Sequence, residues 1–323
     1  MKNSRKVFIL VEAALTVMAL IAIMIMLGEK DGKGLQKVSV IVQESDDGEW
    51  NAFKYGLRMA AEDQGVEMFV VSADEMTTEE QEELIRQEID NGADAVIVQP
   101  APGEKTEKML KKLKKKVPIM LVECAAGKDG KKSEIPVTEA DNYEIGIALA
   151  DELINDCGEN LNGKILQIYS QKTDSEGIIN CEKGLKKRLK DSGIEVQWSR
   201  AESLDENVEN SLNEQEKADF IIALDDSSVV QAGEYAQAGK LKGAVVYGVG
   251  RSTEAVYWLD TGKVECLVVP DEFNIGYQSL TETAKTFKNS FYKMNSKTVS
   301  YTVIRQDTLF SKENQRILFT MSQ

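Results

Sequence analysis

Short apolar runs alternate with segments of helical period along most of the chain. In the first part, apolar runs occupy 37–42, 66–72, 95–100 and 118–123. Helical segments are predicted between them, at 50–64, 78–91 and 104–115. Phe53, Leu57, Ala60 and Ala61 fall on one face of the first of these helices. Strands that are apolar throughout are typical of a parallel sheet with helices on both faces.

The same alternation restarts after 135–146 and predicts a second lobe of similar size. Asp141 is expected to cap a helix that runs to about residue 156. Strands are predicted at 165–170, 194–198, 219–224, 244–249 and 265–269, with helices at 176–191, 205–214, 227–237 and 253–259. An amphipathic helix at 273–291 and a last strand at 299–304 follow, and the sequence assigns no role to the tail after 304. The predicted class is α/β, with two doubly wound lobes resembling Rossmann folds.

The N-terminus predicts an uncleaved membrane anchor. Lys2, Arg5 and Lys6 precede the apolar run 7–27, whose 21 residues would extend about 31 Å as a helix, enough for a bilayer core of roughly 30 Å. No small-x-small cleavage site follows the run. The preceding positive charges predict a cytoplasmic N-terminus, with the bulk of the chain outside a plasma membrane that it crosses once.

Composition excludes several function classes. Acidic residues outnumber basic ones by 54 to 39, so nucleic acid is not an expected partner. The sequence has no histidine, and its four cysteines match no CxxC pattern. The usual catalytic triads and most zinc sites are therefore excluded, and neither a metal nor a cofactor is predicted.

Four motifs, in this order, resemble the type I periplasmic binding proteins, in particular their ribose- and galactose-binding branch. They are GLRMAAEDQG at 56–65, NGADAVIVQP at 91–100, DNYEIG at 141–146 and ALDDSSVVQAG at 223–233. The resemblance spans about residues 37–304. It implies two lobes joined by three crossovers and closure of the lobes on a ligand.

The N-terminal pattern and the resemblance together predict domain boundaries. Residues 1–30 would form a cytoplasmic arm and the transmembrane anchor, and 31–36 a linker. The first lobe would comprise 37–139 with 270–295, and the second 140–269 with 296–310. Residues 311–323 would be a C-terminal tail.

Candidate ligand-binding residues follow from the same resemblance. Asp47 stands where sugar binders of this branch have an asparagine, and Trp50 where they have a ring that stacks on the sugar. Glu123 takes the place of an aspartate after the fourth strand, and Asp225 that of an asparagine. Glu49 lies beside Trp50 on the same predicted rim.

Other interpretations of these residues stay open. Trp50 could be a core residue, and Asp46 or Asp47 could form a turn or cap the helix. One member of the pair Asp225 and Asp226 is expected to cap the next helix while the other contacts ligand.

Three expected contacts are missing at Cys181, Gly250 and Pro270, where the family has an arginine, an aspartate and a glutamine. Arg251 could replace the lost cation or lie on the surface. Trp198 could form an opposing wall of the pocket. These departures predict weakened binding of ordinary pentoses and hexoses.

The predicted function is non-enzymatic binding of a small polar solute: a sugar, a polyol or an amino-sugar-like compound. The partner would be a membrane-embedded ABC permease or a sensor histidine kinase, and the sequence does not choose between them. The alternative is an enzyme resembling a glycosidase, with Asp47 and Glu123 as paired carboxylates. A DNA-binding regulator is disfavoured because the membrane segment stands where its helix-turn-helix would be.

Overall fold

The computed structural model describes residue 18 and residues 34–43, 50–73, 77–126, 134–171, 175–200, 217–289 and 291–319. The chain divides into two units, Met1–Gln36 and Lys37–Gln323, and the strands and helices given below lie in the second. Among the described helices, none combines the length and apolar character that a membrane span requires. The predicted span 7–27 lies outside the described residues except for Met18.

The first lobe is built on a parallel six-stranded sheet with the order β11-β5-β4-β3-β1-β2. Its strands are β1 (Lys37–Gln43), β2 (Glu67–Ala73), β3 (Ala95–Val98), β4 (Ile119–Val122), β5 (Val137–Ala140) and β11 (Lys297–Val299). Its helices are α1 (Asn51–Gln64), α2 (Thr78–Asp90), α3 (Glu104–Leu113) and α8 (Glu272–Lys288). Val40 and Ile41 point to opposite faces of β1 and both are fully buried, as expected for a sheet covered on both sides.

The second lobe repeats this plan with the strand order β12-β10-β9-β8-β6-β7. Its strands are β6 (Ile165–Ser170), β7 (Glu195–Arg200), β8 (Phe220–Ala223), β9 (Val245–Val249), β10 (Cys266–Pro270) and β12 (Tyr301–Arg305). Its helices are α4 (Asn142–Cys157), α5 (Glu176–Arg188), α6 (Asp226–Gln237), α7 (Thr253–Asp260) and α9 (Lys312–Phe319). The prediction of two doubly wound α/β lobes is confirmed, although β12 runs antiparallel to β10.

Glycines allow two helix pairs to cross closely, one pair in each lobe. A Cβ atom on Gly56 of α1 would lie 2.0 Å from the Phe273 carbonyl oxygen of α8. A Cβ atom on Gly146 of α4 would lie 1.9 Å from the Cys181 carbonyl oxygen of α5. Both distances are far inside van der Waals contact, so Gly56 of the GLRMAAEDQG motif and Gly146 of the DNYEIG motif have a packing role.

The predicted last strand, 299–304, is wrong as a single strand, because the chain changes sheets at Ser300. β11 pairs with β5 in the first sheet, and β12 pairs with β10 in the second. The Asp271 backbone N–H donates to the Ser300 carbonyl oxygen at 3.1 Å, and the Asp141 N–H donates to the Val299 oxygen at 3.3 Å. These bonds extend the two sheets up to Ser300, where the chain passes from the first lobe to the second.

The C-terminal segment packs on the second lobe, although the sequence predicted no role for it. Leu309 is fully buried and Leu318 of α9 is 7% exposed, both within the core of this lobe. The Arg305 guanidinium donates to Glu152 at 2.6 Å and to Asp156 at 3.0 Å, which fixes the end of β12 to α4. The predicted helix 205–214 lies outside the described residues.

Candidate functional site

Both sheets have a topological switch point at equivalent positions. β1 lies between β2 and β3, and β6 lies between β7 and β8. The strand order therefore reverses at β1 in the first sheet and at β6 in the second. Open α/β sheets bind ligands outside the carboxyl ends of their strands at such points. The switch points therefore define where a site is expected in each lobe.

In the first lobe, polar side chains link three neighbouring strand ends at this edge. Gln99, which follows β3, accepts a hydrogen bond from the Gln43 backbone N–H at 2.8 Å. Its side-chain amide donates to the Glu123 carboxylate at 2.6 Å. Gln99 is thus a central residue of the candidate site that the sequence analysis missed, although its place before Pro100 was a signal.

Glu123 has a left-handed backbone conformation with a φ of 68°. This region is uncommon for a residue with a Cβ atom and costs of order 1 kcal/mol or more. The Glu123 N–H donates to the Thr138 carbonyl oxygen at 3.1 Å, which holds the strained residue against β5. The result is a half-buried carboxylate held at the edge where the sequence predicted a ligand contact.

Trp50 directly precedes α1 and is only 4% exposed. Its ring makes an edge contact with Phe53, with 5.0 Å between the ring centroids. The residue therefore packs into the core at the start of α1, and its stacking on a ligand stays a prediction. Asp47 and Glu49 lie outside the described residues.

At the second switch point, Asp225 is the helix cap. Its Oδ1 accepts from the Ser228 N–H at 2.9 Å. Its Oδ2 accepts from the Ser170 hydroxyl at 2.7 Å, the Gln171 N–H at 3.0 Å and the Ser228 hydroxyl at 2.9 Å. Asp225 is 6% exposed, so its carboxylate is fully used inside the lobe.

Asp226 is the first residue of α6 and joins two loops at the same edge. Its Oδ1 accepts from the Arg251 N–H at 2.5 Å and the Ser252 N–H at 2.9 Å. Within the part of the chain that the structure describes, its buried Oδ2 has no hydrogen-bond partner. Beside it, a Cβ atom on Gly250 would lie 2.8 Å from Oδ1.

The other positions singled out in the second lobe have these surroundings. Arg251 is half-exposed, and its backbone N–H donates to Asp226. Trp198 is not the last residue of its strand, because β7 continues to Arg200. The Trp198 indole N–H donates to the carboxylate of Glu182 on α5 at 2.6 Å. Cys181 is 2% exposed, and burial raises the pKa of its thiol to about 12.

Carboxylates from both lobes approach one another where the chain passes between the sheets. Glu139 lies on β5 in the first lobe, Asp141 caps α4, and Glu176 begins α5 in the second lobe. Burial, followed by repulsion from Glu176 and Asp141, raises the pKa of Glu139 to about 7. Sequence analysis identified neither Glu139 nor the strand β5 that carries it, because Val137–Ala140 is short and half of its residues are polar.

Within the described ranges, no group of histidine, cysteine, aspartate or glutamate side chains could hold a metal ion. The arrangement can instead present hydrogen-bond acceptors to a small molecule at the carboxyl edges of two linked sheets. Such a fold and site define a two-lobed α/β binding protein.

A family model described as a periplasmic binding protein domain matches residues 38–288, more than three quarters of the chain. The chain therefore belongs to the periplasmic binding protein family, and the resemblance drawn from its motifs is confirmed. This is a family of binding proteins, and membership assigns the folded unit an extracytoplasmic location. No curated protein sequence matches the chain.

Solved structures share the fold at low sequence identity. A carbohydrate transporter solute-binding protein from Agrobacterium radiobacter, in complex with D-arabinose, has a TM-score of 0.76 and 16% identity, over 89% of this chain and 100% of that one. A Caulobacter myo-inositol binding protein bound to myo-inositol has a TM-score of 0.72 and 20% sequence identity, over 88% of this chain and 97% of that one. A chain of a XylFII–LytSN complex has a TM-score of 0.71 and 13% sequence identity, over 85% of this chain and 99% of that one.

Proposed function

We propose that this chain is an extracytoplasmic solute-binding protein that clamps a small hydroxyl-rich or amine-bearing solute between its two lobes. The observation that supports this most strongly is the matched polar linkage at the two switch points. Gln99 bridges the strand ends of the first sheet, and Asp225 bridges those of the second. Two preorganised edges of the same design suit a ligand that contacts both.

The proposed ligand is a sugar, a polyol or an amino-sugar-like compound. Glu123 and Asp226 have carboxylate oxygens at the carboxyl edges of the sheets. Ionised carboxylates only accept hydrogen bonds, so they favour hydroxyl and ammonium donors and disfavour phosphates and sugar acids. The relatives in complex with D-arabinose and myo-inositol support a ligand of this kind.

Residues 7–27 are proposed to anchor the chain in the plasma membrane with a single crossing. A helical anchor keeps the binding unit beside a membrane partner, either an ABC permease or a sensor histidine kinase. The XylFII–LytSN complex supports the idea that a protein of this fold can act through a second protein. Chemical crosslinking in intact cells, followed by mass spectrometry, would distinguish the two classes of partner.

A thermal-shift screen tests the proposed ligand class. The full-length chain would be purified in a detergent without a sugar head group and mixed with each candidate at 10 mM. D-arabinose, myo-inositol, D-glucose, D-galactose and D-glucosamine represent the expected class, and ribose 5-phosphate the excluded one. A ligand at ten times its Kd stabilises by about 1.4 kcal/mol, or roughly 3 °C for a domain of this size.

At least one neutral or amine-bearing compound should raise the melting temperature, and Glu123→Gln should reduce the shift. Glu83→Gln is the matched control, because Glu83 is an exposed acid on α2 of the same lobe. A shift only with ribose 5-phosphate would contradict the charge argument. No shift with any of these compounds would contradict the proposed ligand class.

A further inference from the structure

The Asp226 carboxylate has two oxygens in different situations. The residue is 9% exposed, and Oδ1 accepts from the backbone N–H groups of Arg251 and Ser252. Oδ2 is buried and has no partner among the described residues. A buried acceptor without a partner is costly, and more so when the group is charged. An oxygen kept in this state points to a partner outside the protein.

The location of Asp226 is where this fold exposes its strand ends. α6 begins directly after the carboxyl end of β8, and Gly250 follows the carboxyl end of β9, the neighbouring strand. Asp226 thus joins the ends of two adjacent strands at the edge where open α/β sheets bind ligands. Gly250 is necessary for this, because a side chain there would collide with Oδ1.

Asp225 makes the contrast clear. Both of its oxygens accept hydrogen bonds from the protein, and Oδ2 accepts three. Each carboxylate oxygen has about two lone-pair sites, so Asp225 has little capacity left for a ligand. The two adjacent aspartates therefore differ in role. Asp225 accepts as many hydrogen bonds from the lobe as its carboxylate can, whereas Asp226 keeps one oxygen that can still accept.

We propose that Asp226 Oδ2 is the ligand acceptor of the second lobe and binds a hydroxyl or ammonium donor of the solute. The carboxylate that the family resemblance expected at position 250 would then be supplied from α6, by a residue whose Oδ1 packs against Gly250. This inference rests on the proposed function and names the residue that anchors the solute in the second lobe.

Asp226→Asn separates the two roles of the side chain. The remaining amide oxygen can still accept from Arg251 and Ser252, whereas the amide nitrogen replaces the spare acceptor with a donor. The full-length chain in a detergent without a sugar head group would be titrated with D-arabinose and with myo-inositol by calorimetry. We expect Asp226→Asn to weaken the binding of at least one of these probes by 10-fold or more.

Two further variants make the result decisive. Glu234→Gln removes an exposed charge from the same helix and should leave the Kd within twofold. Gly250→Ala should displace the Asp226 carboxylate and weaken binding as well, and it decides the matter if Asp226→Asn does not fold. Wild-type affinity retained within twofold in a folded Asp226→Asn or Gly250→Ala variant would overturn the inference and leave the proposed function standing. Failure of the wild type to bind either probe or any sugar of the thermal screen would overturn both.

Discussion

Removing the charge of Glu139 should stabilise the protein at alkaline pH and have much less effect at acid pH. Burial, followed by repulsion from Glu176 and Asp141, raises the pKa of Glu139 from 4.5 to about 7. Between these values the folded chain holds a proton that the unfolded chain releases. The free energy of unfolding therefore falls as pH rises through this window, and the penalty is complete above about pH 7.

The size of the effect follows from the pKa difference. Each pKa unit corresponds to about 1.36 kcal/mol, so the full penalty is at most about 3 kcal/mol. At pH 5 the penalty is under about 1 kcal/mol, because this pH lies only slightly above the ordinary pKa of 4.5 and little of the window has been crossed. The stability gained by Glu139→Gln should therefore increase by roughly 2 kcal/mol between pH 5 and pH 8, or about 5 °C in melting temperature.

Urea unfolding of wild type and Glu139→Gln at pH 5, 6, 7 and 8 measures this difference. Glu176→Gln should narrow the pH window, because it removes the larger of the two repulsions on Glu139. Glu83→Gln, an exposed acid of the same lobe, is the matched control and should show no comparable dependence. A Glu139→Gln gain of equal size at pH 5 and pH 8 would refute the reasoning.

Four other predictions concern the fold and the anchor. Burial alone would raise the pKa of Glu282, but hydrogen bonds from its neighbours lower it to about 2. The ionised Glu282 carboxylate therefore contributes to the free energy of unfolding above about pH 4.5, and this contribution is lost toward pH 2. Urea unfolding should show that Glu282→Gln lowers the free energy of unfolding by roughly 2 kcal/mol at pH 7 and hardly changes it at pH 2. Gly146→Ala should cost about 2 kcal/mol or more by the same assay, because the new Cβ would overlap the carbonyl oxygen of Cys181. Leu318→Ala should cost about 2 kcal/mol if the C-terminal helix belongs to the core. Protease added to intact cells should digest the binding unit, and release of a form that begins near residue 29 would contradict the uncleaved anchor.

Local patterns were enough to predict most of the two lobes. The buried face of α1, with Phe53 and Leu57, follows directly from the spacing of apolar residues. Asp141 caps α4 as its place before a helical segment indicated. Both features depend on residues close in the sequence, where period and capping chemistry decide the outcome.

Long-range contacts account for what the sequence did not predict. The division of the last strand at Ser300 depends on a donor from Asp271, and the position of the C-terminal helix depends on the second core. Adjacent aspartates look alike in sequence, so the separate surroundings of Asp225 and Asp226 could be distinguished only in three dimensions. The interaction of Glu139 with Glu176 likewise joins residues from different lobes.

A distance measurement between the lobes tests the central claim, that a small solute is clamped between them. Spin labels would be attached at Glu83→Cys in the first lobe and Glu234→Cys in the second, in a Cys157→Ser background that removes the exposed thiol. Pulsed electron resonance would then be recorded with and without the compound that gives the largest thermal shift. We predict that the ligand shifts the distance distribution to shorter values. A compound that raises the melting temperature but leaves the distance distribution unchanged would contradict the account.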